Sequence, residues 1–515
     1  MNLQRRLTLV AFGILCLIAC NPAQTALPHN TPKSLAQPVP VSAAMPKPDP
    51  DSVPPQASYI PQRPFPSISD SALDNGLSLQ VIEHHALPVV TAELIINSGL
   101  ASEEDRAGAA RLAAEWLEAG GAGRWNSRQL REAVDSLGAS LEITVSRDST
   151  RFSLTVTSDR INAALEILAA LVQKPRFDKS EFEKLKQREV ERVESLSRTS
   201  GAWMAQMWLQ RQLFRLPIGV HPYASYDLLP DELRRLTATM CRDWFREFVS
   251  PRNAYLLLVG DIAPSAAHTM TEHYFAAWSG PDVKAFNPSS TEGLSKFEIF
   301  VVDKPNSTQS DIFLATLGPN RHDPAFAWAA LAQQVVGGGV SGRLFLDIRE
   351  KRSLAYSTGA GIQELAAGPS VLYLSAGTQT AKTAEAVGAL LEHFEKLGTG
   401  QYSPEELETA EHFLIDSMPT RWEQVQSLAA QLSQLRIQSL PNDYFDTLRD
   451  SIAHTSIEDI ARWSTKVFRR EQSVLVVAGD SQRVAPELTK YAPVSVVNPA
   501  QGFRLTSQLP RAAGQ

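Results

Sequence analysis

The sequence predicts an α+β protein of two homologous domains, each a mainly antiparallel sheet flanked by helices. Three observations carry that expectation. The chain has 515 residues, 43% hydrophobic and 20% charged, which is too long for one ordinary domain and enough for two or more full cores. Apolar residues alternate in some stretches and recur at helical spacing in others. The second half also repeats the elements of the first in the same order, at a nearly constant offset, which is the mark of domain duplication.

Residues 1–19 read as a lipoprotein signal peptide. Arg5 and Arg6 precede the run "LTLVAFGILCLIA", which is too short for a comfortable membrane span. The run ends "LIAC", which resembles a bacterial lipobox and implies that Cys20 becomes the lipid-bearing first residue. Several acyl chains on one residue hold a protein on a membrane where a single chain does not. Asn21, rather than Asp, follows the cysteine; in lipoproteins of this kind that implies the outer membrane, facing the periplasm. Residues 20–66 are rich in proline and read as a disordered tether. Of the three cysteines, Cys16 falls in the leader, Cys20 is the lipidation site and Cys241 stands alone, so neither an intramolecular disulfide nor a cysteine-rich zinc site is expected.

The first domain is expected over 67–280. It opens with a strand pair in "LSLQVIEHHALPVVTAELIINSG" (77–99) and a helix in "GAARLAAEWLEAG" (108–120). "LGASLEITVSRDSTRFSLTVTS" (137–158) reads as a hairpin of two alternating strands, and "DRINAALEILAALVQ" (159–173) as an apolar helix. Asp178 and Glu181 then form the N-cap and N3 positions of another helix. After a linker at 281–296, the second domain spans 297–490. Its hairpin is "LAYSTGAGIQELAAGPSVLYLSAG" (354–377) and its apolar helix "AKTAEAVGALLEHFEKL" (381–397). Ser403, Pro404 and Glu406 supply the matching capped start. "QSVLVVAGD" (472–480) answers "NAYLLLVGDI" (253–262). Residues 491–515 are left as a tail. The hairpin connections argue for mainly antiparallel pairing.

Net charge is −7 and no basic stripe stands out, so nucleic acid is not an expected partner. No His-x-x-x-His or Gly-x-Ser-x-Gly occurs. His84 and His85 are adjacent on a strand and point to opposite faces, while His221 reads as structural.

The duplication, the strand-then-helix order, and the segments "HPY" (221–223), "SPRNAYLLLVGD" (250–261) and "GGGVSGRLFLDIREKRSLAY" (337–356) resemble the pitrilysin/insulinase (M16) family of inverted-zincin metallopeptidases. The likeness is to the zinc-less subunit of its bacterial, processing-peptidase-like heterodimeric group. It implies a LuxS/metallopeptidase-like fold in each domain. Members with a zinc site carry His-x-x-Glu-His on the first helix; at the matching positions stand Arg111, Ala114 and Glu115. Arg111 offers no lone pair to a metal, Ala114 accepts no proton, and a catalytic zinc needs about three protein ligands. The family's third ligand lies on the helix in "KLKQREVERVES" (184–195), where Glu191 or Glu194 is its expected relic. Arg111 and Glu115 are expected to form an i,i+4 ion pair, with a replaced catalytic role as the alternative.

The resemblance also implies that Arg349 and Tyr356 reach a partner's catalytic site. A guanidinium fork and a phenol suit a scissile carbonyl whose oxygen gains negative charge. Ser353 stands where the family usually has glycine. The implied function is the Arg/Tyr-contributing subunit of a periplasmic metallopeptidase heterodimer. It would hold no cofactor itself, stay inactive alone, pair with a zinc-bearing chain and act on peptides or unfolded segments. The alternative is a non-catalytic peptide-binding or assembly lipoprotein.

Overall fold

The computed structural model describes residues 64–512, apart from 215–220, 226, 285–287, 289–290 and 292–293. The leader, Cys20 and almost all of the proline-rich stretch lie outside the described residues. Residues 60–515 form one compact unit.

The first sheet contains β1 (Ser69–Ala72), β2 (Ser78–Glu83), β3 (Val89–Ile96), β4 (Glu142–Val145), β5 (Thr150–Thr157) and β6 (Ala254–Gly260). Its order is β1-β2-β6-β3-β5-β4. The second contains β7 (Glu298–Asp303), β8 (Gln309–Gly318), β9 (Ala355–Gln363), β10 (Ser370–Gln379), β11 (Ser473–Gly479), β12 (Val494–Asn498) and β13 (Arg504–Leu509). Its order is β13-β12-β7-β11-β8-β10-β9. Five strands of each sheet follow one plan, β2-β6-β3-β5-β4 matching β7-β11-β8-β10-β9. Both sheets are mixed: β2 with β6, and β7 with both β11 and β12, pair in parallel, and the remaining neighbours are antiparallel. β12 and β13 lie beyond position 490, so the second sheet extends into the stretch that reads from sequence as a tail. Their short apolar alternation, Val494, Val496 and Val497, is buried only because β7 leaves its edge open to them.

Each sheet is covered on both faces, and one cover comes from the other half. The helix Gly201–Leu213 of the first half packs on β8 and β11, while the helix Val425–Ile437 of the second packs on β3 and β6. This explains why β6 reads "AYLLLVG" and β11 "SVLVVAG", nearly unbroken apolar runs, although each has one antiparallel neighbour. In β6, Ala254, Leu256 and Leu258 enter one core; Leu257 and Val259 enter the other. Glu93 of β3 sits on the crossed face, 3% exposed, accepting hydrogen bonds from Ser153 Oγ and, from the other half, Ser433 Oγ. A second tie joins the halves at the β4–β5 turn. There the Tyr223 hydroxyl donates to Asp148, and the Ala366 and Ala367 amides donate to the Asp148 carboxylate and the Tyr223 oxygen.

Candidate functional site

The helix Ala109–Gly120 starts at Gly108, whose φ of +93° leaves the chain turned into the left-handed region. Glu103 caps it from outside, accepting the Gly108 and Ala110 amides at 2.8 Å each and placing a carboxylate at the positive end of the helix dipole. Burial nevertheless wins over these donors and pushes the Glu103 carboxyl up to about 8. Leu112, Ala113, Trp116 and Leu117 bury one side of the helix. Arg111 and Glu115 face the helix Lys179–Thr199, which packs against it.

The expected Arg111–Glu115 ion pair does not form. Arg111 Nη1 donates instead to Asp227 Oδ1 at 2.6 Å and to Glu189 Oε1 at 3.1 Å. Arg192 closes the cluster, with Nη2 at 2.6 Å from Glu189 Oε1 and 3.1 Å from Asp227 Oδ2 and Nε at 2.8 Å from Glu189 Oε2. Trp203 Nε1 and the Leu228 amide also donate to Asp227. The change of partner has an electrostatic consequence. Burial works against ionisation of Asp227, but Arg111 and Arg192 overcome it and hold its carboxyl below the usual range. Burial, with Glu189 adding to it, pushes Glu115 up to about 7 against the pull of Arg111. The two pairings thus leave Asp227 ionised and Glu115 poised near neutrality.

The acid facing position 111 is therefore Glu189, not Glu191 or Glu194. Glu191 accepts from Gln187 on the exposed side and Glu194 pairs with Arg234. A sequence signal for Glu189 existed: it falls on the inner stripe Phe182, Leu185, Glu189, Val193, all buried, where an apolar residue is the norm. Asp227 had no local signal. His221, 1% exposed, is structural: its Nδ1 accepts the Tyr223 amide at 3.1 Å and its ring stacks on Phe214.

A zinc ion does not fit these residues. One position offers a guanidinium, which has no donor lone pair, one a methyl group, and the carboxylate of Glu189 is already occupied by two arginines. Among the described residues no group of three or more His, Cys, Asp or Glu side chains is placed to hold a metal ion.

The second half presents its charges differently. Phe345–Lys351 is a π-helix, a form often found at functional sites, with the Arg352 amide reaching back to the Asp347 carbonyl at 2.8 Å. Arg349 leaves it with its side chain 46% exposed, its guanidinium 4.9 Å from the Phe345 ring and only a long 3.9 Å contact to Glu350. Ser353 ends the segment at φ +51°, a left-handed conformation that explains a preference for glycine. The π-helix packs on β9, where Tyr356 is the second residue. The β9–β10 register slips there: Gly377 faces Ser357 and Thr378 faces Ala355. Tyr356 is thus a bulged residue, the kind of irregularity that re-aims a side chain. Its ring lies over Gly377, where a Cβ would come within 2.7 Å. Tyr356 is about half exposed and its hydroxyl is bonded only loosely to Gln309 at 3.5 Å; partial burial of the residue and nearby Asp311 raise its pKa above the ordinary phenol value.

Residues 80–216 match the profile described as Insulinase (Peptidase family M16), and residues 235–414 match Peptidase M16 inactive domain. Together these matches span more than half of the chain. The chain belongs to peptidase family M16. Among curated relatives, the zinc protease PqqE of Helicobacter pylori is 22% identical over 430 residues, covering 82% of this chain and 94% of that protein. The uncharacterized zinc protease YmxG of Bacillus subtilis is 23% identical over 237 residues, 45% of this chain. That alignment spans only 54%, about half, of the Bacillus protein's length. A Pseudomonas fluorescens structure described as a peptidase M16 inactive domain superposes with a TM-score of 0.73 at 23% identity, covering 80% of this chain and 98% of that one. The periplasmic protease PqqL of Escherichia coli gives 0.64 at 15%, covering 84% of this chain and 49% of that one. At these identities the structural likeness establishes the fold.

Proposed function

We propose that this M16 protein is the zinc-less, Arg/Tyr-contributing subunit of a periplasmic peptidase heterodimer acting on peptides or unfolded segments. It would be held to the outer membrane through Cys20. The observation that carries the reading is the contrast between two sites. The helix face that would present metal ligands is filled by the Arg111–Glu189–Asp227–Arg192 cluster, whereas Arg349 and Tyr356 are exposed with no strong partner of their own. A guanidinium and a neutral phenol in that state are free to bind the oxygen of a peptide carbonyl and to stabilise it as charge develops. The zinc and the general base would belong to the partner chain, and this subunit would have no activity alone.

Metal analysis and peptidase assays on the isolated chain, then on the chain mixed with a zinc-bearing M16 protein encoded beside it, test the reading. No cleavage by the chain alone and chelator-sensitive cleavage by the mixture are expected. Chelator-sensitive cleavage by the isolated protein would overturn it.

A further inference from the structure

The hairpin β12–β13 belongs to the second half, yet its tip is seated in the first. The turn Pro499–Gln501 packs on the helix Lys179–Thr199, and the Asn498 side chain accepts the Ala500 amide at 2.9 Å to shape it. Phe503 follows, 3% exposed. Its ring stacks on Trp208 with centroids 5.9 Å and planes 12° apart, lies 6.4 Å from Trp203 and takes the Arg211 guanidinium at 5.5 Å. All three partners belong to the helix Gly201–Leu213. One phenyl ring from the far end of the chain thus sits among two indoles and a cation.

That packing works against opposing costs. Gly502 and Phe503 are both left-handed, with φ +66° and +63°; glycine accepts this, whereas a bulky side chain does so only under strain. Trp208 Nε1 is buried without an acceptor, which favours release into water. β13 is an edge strand, exposed along nearly all its length and paired only with β12, so it moves without breaking the rest of the sheet. A strained element kept in place by packing is the kind that switches between two arrangements.

What the tip touches gives such a switch its consequence. Trp203 Nε1 donates to Asp227 at 2.9 Å, and the helix Lys179–Thr199 carries Glu189 and Arg192. We propose that the β12–β13 hairpin is a latch: seated, it clamps the two helices that order the Arg111–Glu189–Asp227–Arg192 cluster; unseated, it relieves its own backbone and loosens them. The inference does not depend on the peptidase reading.

Amide hydrogen exchange of the full chain, followed segment by segment, tests the latch. Gly502→Ala is the sharper variant, because a Cβ there meets nothing within 4 Å and so adds strain to the seated form without removing a contact. It should speed exchange over 184–195 and 201–213 about fivefold, and Phe503→Ala about tenfold or more, while the helix Thr383–Gly398 and β8–β10 exchange as in the wild type. Unchanged exchange of both helices in Gly502→Ala would make the tip a passive cover, and a uniform rise over the whole chain would mean a general loss of stability. Either result overturns the proposal.

Discussion

In the first half Arg111 is locked by two carboxylates from a neighbouring helix and a loop. In the second half Arg349 reaches solvent with an aromatic ring beneath it and no close carboxylate. The two halves share a five-strand plan, so the difference does not come from the scaffold. It comes from what each element leaves unpaired. The helix Ala109–Gly120 is covered by another helix, and any charge on that face must find a partner or lose it. The π-helix and the β9 bulge instead interrupt regular pairing and turn two polar side chains outward. The first arrangement is an internal network; the second leaves both side chains exposed.

The comparison can be broken by substitution. Arg111→Ala should give the largest effect, about 3 kcal/mol or more lost in denaturant unfolding, because Asp227 and Glu189 lose a buried partner. If stability is unchanged, the cluster is not structural. Tyr356→Phe should leave stability and zinc content alone but lower kcat of the reconstituted pair about a hundredfold. Equal turnover would favour the non-catalytic peptide-binding alternative.

Smaller effects sharpen the contrast. Glu115 ionises near 7 in the folded chain against its usual 4.5, so the folded state holds the proton more tightly. Its stabilising contribution is fully present below about pH 4.5 and is lost as pH rises to about 7. The stability difference between wild type and Glu115→Gln should therefore change by about 3 kcal/mol across that window, and a flat difference would show that Glu115 is not buried against Glu189. Smallest of all, Ser353→Gly should raise stability by about 1 kcal/mol by relieving the left-handed backbone, measurable as a higher melting temperature. A loss instead would mean that the serine side chain holds the turn.

Much of the fold was legible in the residues. The hairpins, the capped helices at Asp178 and Ser403 and the duplication rest on local periodicity and capping, and they appear at those places. What sequence reasoning missed shares one property, dependence on distant chain. β12 and β13 looked like tail because a short strand is recognised only by the edge it joins. The unbroken apolar runs of β6 and β11 have their cause in helices contributed by the opposite half.

The residues alone determined that Arg111 has no lone pair to offer a metal and Ala114 no oxygen to accept a proton, because the identity of a side chain decides both. They also determined that Arg349 and Tyr356 stand seven apart in one segment. Only the tertiary structure decided that Arg111 is bound by Glu189 and Asp227, 78 and 116 residues away, rather than by its neighbour Glu115. The choice depends on which carboxylates the packing of distant segments brings against the guanidinium, and that is a property of the folded chain.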